Sequence, residues 1–190
     1  MEERALQTLK SMLTDRGIKS DTFEPVGNPL DETRMYTFGG ILIVFSEKTR
    51  LTPAEFKNIL AYAAENSHTA GTIIITISKA PESVTELLRQ HLSNKENPLV
   101  QLFYISHLNF DISKHRKVPK HRLLTEDEKT KLTKMYNITD FKQLPKLDSQ
   151  DAMARWIGAR PGDVVEVTGL CVSSADNIRY RYCIPNVYEV

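Results

Sequence analysis

Between Lys114 and Arg122 the chain places five Lys/Arg and two His around the pair Val118-Pro119, and from Thr125 to Glu128 it turns acidic (TEDE). Side chains of these types could grip phosphates, ligate a metal, or solvate a joint between two folded pieces. The metal reading finds little support: the five histidines, at 68, 91, 107, 115 and 121, show no HExxH or other ligand spacing, which favours surface or hydrogen-bonded imidazoles. Serine and cysteine are present without a G-x-S-x-G elbow or a flanked nucleophile. Cys171 and Cys183 are the only thiols and form no close pair, so they read as small residues on strands, not as a disulfide framework or zinc site.

A metal-dependent nuclease is the enzymatic alternative, because carboxylates on strand ends beside a lysine can cleave phosphodiesters. The D/E-x-K spacing occurs as Glu55-x-Lys57, Asp127-x-Lys129 and Asp140-x-Lys142. The first two fall in predicted helices and the third in a polar connector. The strands themselves, ILIVF (41–45) and TIIITI (72–77), contain no carboxylate.

The chain has 190 residues, a net charge of +1, 41% hydrophobic and 26% charged residues, an ordinary globular composition. So balanced a charge provides no global field toward nucleic acid or an acidic membrane, so any such contact must come from a local patch. No window approaches the roughly 18 apolar residues of a membrane span, and the N-terminus (MEERALQTLKSMLTDRG) is amphipathic, without a signal core. The expectation is a soluble, intracellular chain with no membrane partner.

The elements that must position any site follow from periodicity. Leu6, Leu9 and Leu13 share one face of a predicted helix over 2–16, stopped by Gly17. A turn-rich stretch follows, with Pro25, Gly27, Asn28 and Pro29. Residues 41–45 are apolar on both faces, as a doubly covered strand would be. Thr52-Pro53-Ala54-Glu55 is a capping box with proline at the first helical position, opening a helix that buries Phe56, Ile59, Leu60 and Ala63. A second buried strand spans 72–77, Pro81 opens a helix carrying Val84, Leu87 and Leu88, and a third strand spans 100–105. Strand, helix, strand, helix, strand predicts right-handed crossovers over a small, largely parallel sheet flanked by helices. Ligands of such sheets sit beyond the carboxyl ends of the strands. Those loops, SEKTRL (46–51) and SKAP (78–81), lack the glycines that cradle a phosphate. They emerge at one edge of a parallel sheet, however, which gathers Lys48, Arg50 and Lys79 as a basic patch.

Beyond residue 112 the pattern changes. Val118 precedes proline and is therefore extended, whereas Thr125 to Glu128 form a capping box with acidic residues where a helix dipole favours them. That helix should run to Tyr136 with Leu132, Met135 and Tyr136 inward and Asn137 as its end. Leu144-Pro145 breaks the next segment. Ser149 is expected to cap a short helix over 150–157, packing Ala152, Trp156 and Ile157 and stopped by Gly158. Arg160-Pro161-Gly162-Asp163 is a turn, and 164–168 and 180–184 read as strands, the latter with its tyrosines on one face. Residues 1–112 are thus predicted to form an α/β domain and 113–190 a compact α+β domain, joined by the polar, basic stretch 111–118.

The second domain carries a resemblance. His115-x-x-Val118-Pro119-Lys120-His121, then Leu124 and Glu126 to Glu128, Gln143-Leu144-Pro145, Asp151 through Arg155-Trp156-x-Gly158, Pro161-Gly162-Asp163-Val164-Val165, and Tyr180-Arg181 stand in one order over some 70 residues. This series closely resembles the fifth subunit shared by eukaryotic nuclear RNA polymerases, and is similar over this domain alone to the corresponding small subunit of archaeal RNA polymerases. The N-terminal domain looks like the jaw domain of the eukaryotic-type subunit, down to Asp15-Arg16-Gly17. Some positions depart from the family pattern: Ala152 for proline, Glu166 for lysine, Cys171 to Ala175 for S-E-T-[AS]-G, and a tail over 185–190. Such departures suggest a diverged member, from a protist or from a large DNA virus that encodes its own polymerase.

The resemblance implies a non-catalytic subunit of a multisubunit DNA-directed RNA polymerase. Its C-terminal domain would dock on the largest subunit and assemble with the others. Its N-terminal domain would form part of the jaw around downstream double-stranded DNA, touched non-specifically. The chain would need no cofactor, because magnesium in the large subunits does the chemistry. Arg155, Gly158, Arg160, Gly162 and Asp163, in the family's most characteristic motif, become candidates for partner binding, and Lys48, Arg50 and Lys79 for DNA contact. The implied location is the nucleus, or a virion or cytoplasmic viral factory for a virus-encoded member. Besides the nuclease, a stand-alone protein-interaction module that borrowed the assembly domain is the other alternative.

Overall fold

The computed structural model describes residues 2–20, 22–27, 30–68, 70–169 and 177–185. The turn residues Asn28 and Pro29, the variant stretch from Cys171 to Ala175 and the tail beyond Pro185 lie outside the described residues. The chain divides into two compact units, Met1–Phe110 and Asp111–Val190, and each is described by itself.

In the first unit, helix α1 (Glu2–Asp15) is followed by strands β1 (Glu24–Pro25), β2 (Thr33–Phe38) and β3 (Ile41–Ser46). Helix α2 (Pro53–Glu65), strand β4 (Gly71–Thr76), helix α3 (Glu82–Ser93) and strand β5 (Val100–Tyr104) complete it. The sheet order is β1-β2-β3-β4-β5. Strands β3, β4 and β5 are parallel, as the alternation of strands and helices predicts, but β1, β2 and β3 are antiparallel. The expectation of a largely parallel sheet is thereby corrected to a mixed one. The tight connection Gly39-Gly40, both at positive φ, returns β2 onto β3 as a hairpin, which needs no crossover helix. Every residue of β3 and β4 is buried because both faces are covered. Leu42, Val44, Ile74, Val100 and Leu102 pack with Phe56 and Ile59 of α2 and with Val84, Leu88 and Leu92 of α3. Helix α1 buries Ala5, Leu9, Met12 and Leu13, and from its end Arg16 donates to Gln101 Oε1 of β5 at 2.6 Å, which places α1 on the opposite face of the sheet from α2 and α3. Burial lowers the pKa of the Arg16 guanidinium to about 10.

The second unit holds strand β6 (Lys120–Leu123), helix α4 (Glu126–Tyr136), strand β7 (Lys146–Asp148), helix α5 (Ala152–Ile157) and strands β8 (Val164–Gly169) and β9 (Asn177–Ile184). The sheet order is β6-β8-β9-β7, antiparallel except for β7 beside β9. Short 3-10 turns at Ile112–Lys114 and Phe141–Gln143 precede β6 and β7. On one face Leu147, Val165, Val167 and Cys183 pack with Ala154 and Ala159 of the α5 region. On the other, Val164, Tyr180 and Tyr182 pack with Leu132 of α4 and with Ile138, Phe141 and Leu144.

The caps explain the helix starts. Thr52 and Thr125 both form complete capping boxes, with Glu55 and Glu128 respectively. Asn137 ends α4 in the left-handed conformation at φ 53°. Ser149 is not the cap of α5: Asp151 accepts from Met153 N at 2.9 Å and Ala154 N at 3.3 Å, while Ser149 Oγ donates to Pro185 O at 3.1 Å. A carboxylate suits the positive helix terminus better than a hydroxyl does.

Candidate functional site

The two loops predicted to share an edge of the first sheet do meet, since Ser78 Oγ donates to the carbonyl of Thr49. Their cations are not equivalent. Lys48 forms ion pairs with Glu32, at 2.7 Å, and with Glu55. These two carboxylates hold its ammonium above the usual lysine range, and the Lys48 hydrogen bond holds Glu55 below the usual carboxylate range. Glu55 is at once the third helical residue of the α2 capping box, its other oxygen accepting from Thr52 N at 2.8 Å. Arg50 and Lys79 are exposed, and among the described residues no ion pair engages either. Free to reach outward, these two are the cations that could meet a phosphate.

The carboxylates of the nuclease alternative are also placed. Glu55 caps α2, Asp127 lies in the first turn of α4, and Asp140 caps a 3-10 turn by accepting from Lys142 N at 2.9 Å. None stands on a strand end. Among the described residues no group of three or more His, Cys, Asp or Glu could hold a metal ion.

In the second unit the turn after α5 is a tight local device. Gly158 stops the helix at φ 75°, where a side chain would be strained. Asp163 Oδ2 accepts from Arg160 N at 2.8 Å, and the turn closes with Asp163 N to Arg160 O at 3.0 Å. It is then tied to β9 by Gly162 N to Cys183 O at 2.9 Å and Cys183 N to Asp163 O at 2.8 Å. Gly158, Gly162 and Asp163 therefore have structural duties that account for their residue types. Arg155 and Arg160 are half-buried and interact within the chain.

A different surface of this unit was not anticipated. The periodicity of α4 places Met135 and Tyr136 inward, yet they are 74% and 59% exposed. The helix has one buried residue, Leu132, because only its inner stripe reaches the short sheet. Tyr136 instead stands beside Tyr180, ring centroids 6.1 Å apart. With Ile138, Leu144, Pro145 and the 52% exposed Ile178 they line an apolar groove of about 420 Å³. Exposed aromatic and β-branched residues lining one groove are what a protein–protein contact uses. The sequence signal was there, in an apolar helix end followed by Leu144-Pro145, but only the register of β9 brings Ile178 and Tyr180 to it.

The basic stretch is also more ordered than a joint requires. Its second half is β6, where Lys120, His121, Arg122 and Leu123 face Thr168, Val167, Glu166 and Val165. Arg122 bridges Glu128, at 2.7 and 2.9 Å, and Glu166, at 3.1 Å. These carboxylates, Glu128 first, raise its pKa. Glu166 thus has a specific partner here.

Comparison with known proteins defines the class. Residues 110–183 match the family described as RNA polymerase Rpb5, C-terminal domain. The DNA-directed RNA polymerase subunit Rpo5 of Archaeoglobus fulgidus is 35% identical over 77 residues, 40% of this chain and 100% of the relative. The subunit 5B of DNA-directed RNA polymerases IV and V of Arabidopsis thaliana is 36% identical over 110 residues, 53% of this chain and 50% of that protein. The subunit rpabc1 of DNA-directed RNA polymerases I, II and III of Dictyostelium discoideum is 25% identical over 147 residues, 76% of this chain and 72% of the relative. The match spans about half the length of the plant relative and the whole of the archaeal one. The chain belongs to the family of the fifth subunit of DNA-directed RNA polymerases.

Proposed function

We propose that this chain is a non-catalytic subunit of a multisubunit nuclear DNA-directed RNA polymerase, docked on the largest subunit through its second unit, with its first unit part of the jaw beside downstream DNA. The observation that carries this reading is that an archaeal polymerase subunit is matched over its whole length by 77 residues of this chain, with the family match falling on residues 110–183. A domain that by itself makes up a polymerase subunit in one organism is an assembly module, and its role here is to hold the chain on the enzyme. The apolar groove of Tyr136, Ile178 and Tyr180 supports this, because assembly contacts centre on buried aromatic and aliphatic anchors. Support for the jaw role comes from Arg50 and Lys79, on adjacent loops and without ion pairs among the described residues. A sliding enzyme needs phosphate contacts, which position without reading bases. RNA synthesis is assigned to the large subunits, so no cofactor is required of this chain.

The reading is tested by purifying the tagged full chain from its native cells and identifying what accompanies it by mass spectrometry. Stoichiometric recovery of the two large polymerase subunits is expected. Recovery without them, together with divalent-metal-dependent DNA cleavage by the isolated chain, would favour the nuclease alternative instead.

A further inference from the structure

The second unit has another concave surface, which shares only Arg179 with the described lining of the apolar groove beside α4. Where β6 begins, β8 ends and β9 begins, a cavity of about 630 Å³ opens. Arg116, Lys117, Lys120 and Arg179 line it, together with Val118, Pro119 and Val167. No acidic residue lines it among the described residues, and none of the four cations makes an ion pair there. Three other cations of this unit are committed to carboxylates: Lys114 pairs with Asp111, Arg122 with Glu128 and Glu166, and Lys129 with Glu126. The backbone presenting the cations is held in place. Val118 N donates to His115 O at 2.9 Å, Lys117 N to His115 Nδ1 at 3.3 Å, and Pro119 lies against Gly169, where an added Cβ would approach it to 3.2 Å.

We infer that this groove binds an extended acidic segment of a partner protein, one in which carboxylates alternate with small apolar residues. Charge complementarity sets the sign of the ligand, since four cations around one hollow, with no carboxylate among its described lining, favour a polyanion. The floor decides its class. Val118, Pro119 and Val167 offer apolar contact for aliphatic side chains, while single-stranded nucleic acid relies on aromatic platforms for its bases, and no aromatic residue is among the groove's described lining. A duplex would meet only the rim, leaving the apolar floor unused. The site belongs to the second unit itself and does not depend on the chain's entry into a polymerase.

The test uses the isolated full chain and three fluorescein-labelled probes in anisotropy titrations: an extended peptide repeating glutamate, valine, aspartate and proline; oligoglutamate of the same charge; and oligo-dT. The mixed peptide should bind saturably and more tightly than oligoglutamate. Replacing Arg116 and Arg179 with glutamate should weaken it by about tenfold or more, as expected when two ion pairs become repulsions. The charge-matched control Lys131→Glu with Lys134→Glu, on exposed positions of α4, should leave binding unchanged. Lys117→Glu alone, at an exposed position, gives the same readout if the double variant fails to melt cooperatively by circular dichroism. Absence of saturable peptide binding, an equal loss in the α4 control, oligoglutamate binding as tightly as the mixed peptide, or oligo-dT binding tighter through the same cations would each overturn the inference.

Discussion

If the first unit touches downstream DNA, the number of phosphates it engages follows from its ion pairs. Three cations lie on the two adjacent loops, but Lys48 is committed to Glu32 and Glu55, whereas Arg50 and Lys79 are not paired among the described residues. For Lys48 to meet a phosphate it would have to leave two carboxylates, and those would then face the DNA. Two contacts, not three, are therefore expected, and each contributes about 0.9 to the slope of log affinity against log salt. Replacing Arg50 and Lys79 with alanine should lower that slope by about 1.8, which between roughly 50 and 200 mM salt changes the relative hold on DNA by about tenfold. Lys48→Ala should change the slope by far less than one contact. The assay reassembles the polymerase with each variant and follows dissociation of stalled elongation complexes over a salt series, with subunit composition checked by gel. A Lys48→Ala slope change as large as that of the double variant would refute the argument from ion pairing. An unchanged slope in the double variant would place the DNA elsewhere. Replacing Lys114, Lys117 and Lys120 should cost less salt stability than replacing the loop residues.

Other outcomes are expected from the second unit. Tyr136→Ser with Ile178→Ser, both more than half exposed, should leave the unfolding midpoint nearly unchanged but reduce recovery of the large subunits by more than Arg155→Glu with Arg160→Glu does; the reverse order, read by quantitative mass spectrometry, would return assembly to the turn. Gly162→Ala, at φ 96°, should cost about 1–2 kcal/mol of stability in urea unfolding, the strain of a side chain in a conformation that glycine alone adopts freely. Glu166→Lys should destabilise by about 1 kcal/mol or less, because Arg122 loses one of two partners at a half-exposed site and gains a like charge. Burial pushes the Cys183 thiol up to about 12, so the folded protein keeps its proton where the unfolded chain loses it. The stability from this group is complete below the ordinary thiol value of 9.0 and declines as pH rises from there toward 12. In a Cys171→Ser background, iodoacetamide at pH 9 should label Cys183 only as fast as the second unit opens, and rapid labelling of native protein would contradict its burial.

Local chemistry was enough for much of this architecture. The capping boxes at Thr52 and Thr125, the αL stop at Asn137 and the buried runs of β3 and β4 depend on neighbours within a few residues and are present as the sequence predicts, except that β4 spans Gly71–Thr76 and leaves Ile77 outside it and exposed. The ordered motifs of the second unit were enough for the family. Pairing was another matter. Strand β2, with its half-exposed TRMYTF, and the short β6 and β7 have weak intrinsic signals, and they are strands because a partner edge satisfies their backbone groups. That is why the first sheet is mixed and why the basic run is half strand. The same holds for the surfaces. A lysine in a loop is a candidate phosphate ligand until Glu32 and Glu55, from elsewhere in the chain, arrive beside it. An apolar helix stripe reads as core until the sheet beneath proves too short to cover Met135 and Tyr136. Composition and local pattern determined the helices, the buried central strands of the first sheet and the family. Only the tertiary structure decided which charges stay free and which apolar residues stay exposed, because both depend on what lies across space and not along the chain.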